Sequence, residues 1–178
     1  MNHFDFYGIP VSFYLDQADL KRRFLQMSKK YHPDFFTMKP EEEQVKALEM
    51  SSINNKAYKT LSDFDLRMAY ILKEKGILGE EGKNEIPQSF LMEVMDINEA
   101  IMELEFGFEE AAFKNATEKV NALENELLNG VKDLLENYED GKTPEGELKK
   151  IKEFYLKKKY LWRIRENLNR FAPASPKG

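Results

Sequence analysis

The sequence predicts an all-α protein with a small N-terminal helical domain followed by a C-terminal three-helix bundle. Apolar side chains recur every three or four residues along most of the chain, which is the spacing of one helical face. No stretch shows sustained alternation of β-branched residues, so a β-sheet is not indicated. Glycine and proline gather at a few places, where they mark the breaks between helices.

The composition is that of an ordinary globular chain with few metal-binding or nucleophilic side chains. The 178 residues are 33% charged and 42% hydrophobic, and they include no cysteine and two histidines, His3 and His32. Thiolate ligation and cysteine nucleophiles are excluded for this chain, and neither a metal site nor a cofactor is predicted. A net charge of −5 disfavours nucleic-acid binding, which needs clustered lysine and arginine.

The sequence gives no reason to expect a membrane protein. No apolar run approaches the roughly 20 residues that a spanning helix needs. Residues 1–10 lack the basic segment and apolar core of a signal peptide. A cytoplasmic location is therefore the expectation, and the lack of cysteine fits a reducing compartment.

The N-terminal domain is predicted to be a helical hairpin with a short helix on either side. Residues 4–7 form the first short helix, and 65–75 form the last. The first arm of the hairpin begins at the N-cap Asp16 and stops at His32, because Pro33 follows. The second arm begins at Pro40. The inward faces of the two arms are predicted to carry Leu20, Phe24, Met27 and Tyr31, and Met50, Ile53, Ala57 and Leu61.

The rest of the chain is predicted to hold a linker, a bundle and a tail. Three glycines and one proline fall within the proposed linker, and helical patterns joined by short loops follow it, which favours an antiparallel bundle. Thr143 is the predicted N-cap of the last helix. The predicted segments are the N-terminal domain 1–75, the linker 76–87, the bundle 88–171 with helices 88–106, 109–138 and 144–171, and a disordered tail 172–178.

The tripeptide His32-Pro33-Asp34 lies in the loop of the hairpin. Pro33 fixes its own φ and stiffens the loop. The side chains of His32 and Asp34 would therefore lose less conformational entropy on binding a partner. The first arm of the hairpin offers a basic face that could steer an acidic partner. This face consists of Lys21, Arg22, Arg23, Lys29 and Lys30. On the tripeptide alone, a plain turn beside a solvated helix would be the better interpretation.

The motifs on both sides of the tripeptide decide between these interpretations. Upstream are Phe4-Asp5-Phe6-Tyr7-Gly8-Ile9 and Ser28-Lys29-Lys30-Tyr31, and downstream are Ile53-Asn54-Asn55-Lys56-Ala57-Tyr58 and Leu61-Ser62-Asp63. The whole pattern resembles a J domain over residues 1–75. The resemblance implies that the tripeptide and the basic face bind a DnaK/HscA-type chaperone and trigger its ATP hydrolysis. The nucleotide would belong to the partner, since this chain has no P-loop.

The first bundle helix carries more apolar residues than one buried face needs. Its predicted inward stripe is Phe90, Val94, Ile97, Ile101, Leu104 and Phe108. Three further apolar residues and three carboxylates border this stripe, a mixture typical of a protein-binding surface. They are Leu91, Met92, Met95, Asp96, Glu99 and Glu103. Alternatively, Leu91 and Met95 only widen the buried face and the carboxylates are ordinary solvated charges.

The order of segments indicates which kind of J-domain protein the chain resembles. No Gly/Phe-rich segment or cysteine-rich repeat follows residue 75, and the bundle opens with Phe90-Leu91-Met92-Glu93. This layout resembles the HscB family of iron–sulfur co-chaperones. The resemblance implies that the six residues above, with Tyr160, bind an IscU-type iron–sulfur scaffold protein, and that the chain delivers this scaffold to the chaperone. No enzymatic activity of the chain itself is expected.

Three alternatives stay open at this stage. A J-domain adaptor could serve a different client. A metalloenzyme with His32 as a ligand is disfavoured because the chain has only two histidines and no cysteine, and a hydrolase site at His32 is disfavoured because no nucleophile accompanies the histidine. Lys157, Lys158, Lys159 and Arg163 lie near Trp162, a mixture found in nucleic-acid binders, but a solvated helix face is the preferred interpretation.

Overall fold

The computed structural model describes residues 2–80 and 84–172, and all regular structure within these ranges is helical. None of the helices in the two ranges has both the length and the apolar character that a membrane crossing demands. The helices are α1 His3–Tyr7, α2 Gln17–Lys30, a 3-10 helix Pro33–Phe35, α3 Glu41–Ser62, α4 Phe64–Glu74, α5 Gln88–Glu93, α6 Met95–Phe106, α7 Glu110–Glu136 and α8 Glu145–Asn169. The predicted all-α class, with a helical hairpin followed by a bundle, is confirmed. Apart from its first residue, the predicted tail lies outside the described residues.

The chain divides into two compact units. The first holds the residues up to Gly76 together with Leu135–Thr143, and the second holds Ile77–Leu134 and the residues from Pro144 onward. Within the first unit, the Tyr138 ring packs edge-on against Phe13, with ring centroids 4.9 Å apart. Asp140 forms an ion pair with Lys75 and accepts a hydrogen bond of 2.7 Å from the Tyr138 hydroxyl. These contacts place a segment in the first unit that the sequence-based boundaries leave out of the N-terminal domain.

The boundaries of the hairpin's first arm follow from local chemistry. The Asp16 carboxylate accepts the amides of Ala18 and Asp19 at 2.9 and 3.0 Å, which confirms it as the N-cap of α2. The helix ends at Lys30, two residues earlier than predicted. Gly8 ends α1 in the left-handed region at φ 63°, where a side chain would be strained.

The predicted cap of the last helix is wrong. Pro144 occupies the N-cap position of α8 and contributes no side-chain hydrogen bond. The Thr143 hydroxyl instead accepts a hydrogen bond of 2.9 Å from the backbone amide of Glu139, so it closes the turn that precedes α8. Gly141 supplies the positive φ of 74° within that turn.

The buried face of α3 differs from the predicted face at one position. Ile53 is 39% exposed, whereas Asn54 is 1% exposed. The Asn54 amide donates to the Phe24 carbonyl at 3.1 Å and to the Ser28 hydroxyl at 2.9 Å, both on α2. Its side-chain oxygen accepts the Tyr7 hydroxyl of α1 at 2.7 Å. One polar residue therefore joins three helices, and burial raises the pKa of the Tyr7 hydroxyl.

The remaining core of the first unit is apolar except for one cation. Arg67 is buried; its Nε donates to the Phe13 carbonyl at 2.9 Å and its Nη1 donates to the Leu61 carbonyl. Burial lowers the pKa of its guanidinium, and these hydrogen bonds offset part of the desolvation cost. The fully buried apolar side chains of the first unit include Phe4, Phe13, Leu20, Leu61, Met68, Ile71 and Leu72.

The second unit packs around a core drawn from all the predicted bundle helices. The predicted helix 88–106 is interrupted at Val94 (φ −90°, ψ 0°), which separates α5 from α6. The predicted inward stripe is confirmed at five positions and wrong at Phe108, which is exposed because α6 ends at Phe106. The buried core residues are Phe90, Val94, Ile97, Ile101, Leu104, Ala116, Val120, Leu161, Ile164 and Leu168.

Replacing Asn54 tests the hydrogen bonds by which its side chain links α1, α2 and α3. Asn54→Ala removes both donors and the acceptor, and leaves the buried Tyr7 hydroxyl without that partner. We expect the free energy of unfolding to fall by about 2–3 kcal/mol. Asn55→Ala, at the exposed neighbouring position, is the matched control and should change it by less than about 0.5 kcal/mol. Equal effects of the two variants in urea denaturation would contradict a structural role for the amide.

The ion pair between Lys75 and Asp140 predicts a pH dependence of stability. The hydrogen bond from Lys75, followed by that from Tyr138, holds the pKa of Asp140 below its ordinary value of 3.8. The stabilisation is therefore fully present above that value and is lost as the pH falls through the lower pKa of the folded chain. Since the pair is partly exposed, Asp140→Asn should cost less than about 1 kcal/mol near neutral pH and nothing in acid. Urea titrations across this pH range, in a double-mutant cycle with Lys75→Met, measure the effect; a cost independent of pH would contradict it.

Candidate functional site

The tripeptide loop, residues His32 to Asp34, is exposed and locally ordered. Both polar side chains reach solvent. The Nδ1 atom of His32 accepts the Asp34 amide at 3.3 Å, so in this geometry the proton of the neutral ring is on Nε2. The same Nδ1 lies 3.6 Å from the Asp34 carboxylate, an approach that becomes an ion pair only when the imidazole is protonated. Pro33 is the first residue of the 3-10 helix, where its missing N–H leaves no donor unpaired.

Hydrogen bonds hold the residues that follow the tripeptide against the start of α3. The Thr37 hydroxyl donates to the Asp34 carbonyl at 3.3 Å. The Gln44 side-chain amide donates to the Lys39 carbonyl at 2.8 Å and to the Thr37 carbonyl at 3.4 Å. The loop is therefore fastened at both ends, by α2 and by Gln44, while the tripeptide faces solvent.

Four of the five cations on the predicted basic face of α2 are exposed, and the fifth, Arg23, is partly buried. Arg23 donates to the Asp19 carboxylate at 2.7 Å and to the Tyr7 carbonyl at 2.8 Å, so it anchors α2 to α1. Hydrogen bonds from Arg23 and charge from Arg22 lower the pKa of Asp19. The exposed cations are Lys21, Arg22, Lys29 and Lys30. Arg22 and Lys29 are two helical turns apart and share one side of α2.

The second candidate surface is the methionine patch, defined as Leu91, Met92, Met95, Asp96, Glu99 and Glu103. All six residues are exposed, and Met92 is 70% accessible. The alternative in which Leu91 and Met95 widen the buried face is therefore wrong. Within the patch, Asp96 lies 3.9 Å from Lys119 of α7.

Tyr160 of α8 lies beside α5 and α6. Its ring meets Phe90 edge-on with centroids 5.9 Å apart, and its hydroxyl accepts from the Asn98 amide at 3.5 Å. Asn98 is three residues after Met95, so the two are neighbours on the helix surface. The fold thus brings Tyr160 to the flank of the methionine patch, although the two are more than 60 residues apart in sequence.

Two exposed apolar residues on α6 were not among the residues predicted to form the binding surface. Met102 and Phe106 lie seven and eleven residues after Met95, and both reach solvent. Their spacing is a helical one and the predicted helix already ended at Phe106, so the sequence contained the signal, although neither residue was included in the predicted patch.

Lys157, one member of the basic strip near Trp162, has two neighbours within the second unit. Lys157 pairs with Glu153 at 2.7 Å, and its Nζ lies 5.4 Å from the centre of the Phe90 ring. Trp162 itself is exposed. This arrangement supports the interpretation of the strip as a helix face that shields the core edge.

An antiparallel helical hairpin that presents His-Pro-Asp in its loop beside a basic arm defines a J-domain protein. A family model described as "DnaJ domain" matches residues 2–70. A second, described as "HSCB C-terminal oligomerisation domain", matches residues 86–169.

The relatives of the chain identify its family. It is 34% identical to the co-chaperone protein HscB homolog of Aliivibrio salmonicida, over 77% of this chain and 81% of that protein. It is 33% identical to the human iron–sulfur cluster co-chaperone protein HscB, over 88% of this chain and 63% of that protein. The fold is similar to HscB of Vibrio cholerae (27% identity, TM-score 0.71, 96% of both chains) and to human HscB (30%, 0.75, 96% and 81%). The chain belongs to the HscB family of co-chaperones.

A pair of substitutions tests which side of α5 faces the core. Phe90→Ala empties a fully buried site and should lower the free energy of unfolding by about 3–5 kcal/mol. Met92→Gln, two residues away on the opposite side, should change it by less than about 0.5 kcal/mol. Thermal or urea unfolding of both variants measures the difference. A large loss of stability in Met92→Gln would show that Met92 is buried in solution.

Proposed function

We propose that this chain is an adaptor that binds an IscU-type iron–sulfur scaffold protein, delivers it to a DnaK/HscA-type chaperone and stimulates that chaperone's ATP hydrolysis. The observation that carries this proposal is the presence, on one chain, of an exposed and fastened His-Pro-Asp loop and an acid-bordered methionine patch on an HscB-family bundle.

The geometry of the tripeptide loop supports the chaperone-binding half of the proposal. Its backbone is already ordered, so binding would cost little conformational entropy. The exposed cations of α2 lie just before it and favour an acidic surface on the partner. The roles proposed for His32 and Asp34 are direct contacts with the chaperone, while Pro33 sets the shape of the loop.

The methionine patch supports the client-binding half. An exposed apolar centre with charges at its border is typical of a specific protein-binding surface. Methionine adapts its shape to a partner, and the carboxylates favour a client with a basic rim. The human relative is an iron–sulfur cluster co-chaperone by name, which supports an iron–sulfur scaffold as the client.

The adaptor role requires no chemistry from the chain itself. Having no cysteine, the chain offers no thiolate to an iron–sulfur cluster, so the cluster would be carried by the client. Joining two binding surfaces through one chain raises the local concentration of client at the chaperone. Stimulation would then be greatest when all three proteins are present.

Single-turnover ATP hydrolysis by the chaperone tests both halves. We expect this chain to stimulate hydrolysis, and the scaffold to increase the stimulation further. His32→Gln should reduce stimulation by at least about tenfold with or without scaffold, because a central contact is lost. Met92→Gln is the matched variant: it should stimulate normally alone and lose the increase that the scaffold adds.

The outcomes separate the two halves of the proposal. If His32→Gln stimulates as well as the parent chain, the tripeptide does not act on the chaperone. If the scaffold adds nothing to the parent chain, the bundle serves a different client. In that case, partners captured on the parent chain but not on Met92→Gln would include that client.

A further inference from the structure

The exposed side of α6 carries an apolar stripe that continues past the methionine patch. Met95, Met102 and Phe106 lie within roughly 40° of one another at about 100° per residue. Their exposed fractions are 54%, 60% and 92%. The stripe runs for about 16 Å along the helix. It lies opposite the buried face of α6, so it has no part in the core of the bundle.

Phe106, the last residue of the stripe, is not covered by any residue in the described ranges 2–80 and 84–172. Phe108 and Phe113 pack against each other with ring centroids 5.9 Å apart, while Phe106 projects into solvent. Scattered apolar residues are normal on a protein surface, but three large apolar side chains aligned along one side of a helix are typical of an interaction site.

The charges around the stripe indicate the chemistry of its partner. Residues 88–106 include no lysine or arginine. Asp96, Glu99 and Glu103 lie along one edge, where Lys119 of α7 is 3.9 Å from Asp96, and Glu105 lies on the other edge. An acidic surface of this kind repels phosphate groups, so nucleic acid and anionic lipid are disfavoured as partners. It complements a protein surface on which apolar groups are surrounded by lysine and arginine.

We infer that the client-binding surface extends along α6 to Met102 and Phe106, and that these side chains contact the same client as the methionine patch. This inference rests on the proposed function, since the client is the scaffold protein named there. The stripe begins at Met95, itself a member of the patch, so one partner lying along α6 would cover both parts. A second copy of this chain docked on the stripe would instead occlude the surface of its own client.

Titration calorimetry of the full-length chain with an IscU-type scaffold protein tests the inference. The double variant Met102→Gln with Phe106→Ser should raise the Kd by about tenfold or more, since two large apolar contacts are lost. Trp162→Ser is the matched control. Trp162 is 58% exposed and lies on the opposite side of α8 from Tyr160. The Kd of the Trp162→Ser variant for the scaffold should therefore match that of the parent chain. Circular dichroism and thermal unfolding confirm that each variant is folded.

Met92→Gln, measured in parallel, distinguishes failure of the inference from failure of the proposed function. If Met92→Gln weakens binding while the double variant binds like the parent, the extension is overturned and the client site stands. If the parent chain does not bind the scaffold, the proposed client and the extension both fail. Sedimentation velocity gives the remaining outcome: if the parent self-associates, the double variant does not, and scaffold affinity is unchanged, the stripe joins two copies and the inference is wrong.

Discussion

The buried side chain of Asn54 is the contact on which the geometry of the first unit depends. Its amide and carbonyl oxygen link α1, α2 and α3 at a point where apolar packing alone would permit the helices to slide or rotate. Directional hydrogen bonds have one satisfied arrangement, whereas apolar contacts have many of similar energy. The relative register of α2 and α3 follows from that arrangement, and it sets the position from which the tripeptide loop leaves the hairpin.

The loop derives its exposure from the packing around it. Arg23 and Asp19 fix the first half of α2 to α1, and Gln44 fastens the chain that returns to α3. These side chains satisfy the polar groups of the connection locally. His32 contacts Asp34 and the ring of Phe35, whose centroid lies 5.8 Å from that of the imidazole, and both His32 and Asp34 remain available at the surface.

In the second unit, the core contacts involve only one side of α6, and the opposite side is exposed to solvent. Ile97, Ile101 and Leu104 bury the inner face against α7 and α8. The interruption at Val94 redirects the chain between α5 and α6, yet Phe90 and Val94 both stay in the core. Apolar residues beyond those needed for the core therefore face solvent, where the charged side chains of α5 and α6 are all acidic and Lys119 of α7 lies beside Asp96.

The helical class, the order of the main elements and the tripeptide loop could be predicted from the sequence, whereas the exposure of Leu91 and Met95 in the methionine patch could not. The predictable features follow from local rules: proline and capping residues mark helix ends, and a 3.6-residue period separates one face from another. Tertiary structure decided between Ile53 and Asn54, interrupted the helix at Val94 and placed Leu135–Thr143 with the first unit. Periodicity cannot decide these points, because neighbouring positions fit one helical face almost equally well. Partners distant in sequence, such as Tyr7 for Asn54 and Lys75 for Asp140, select the arrangement that satisfies their hydrogen bonds.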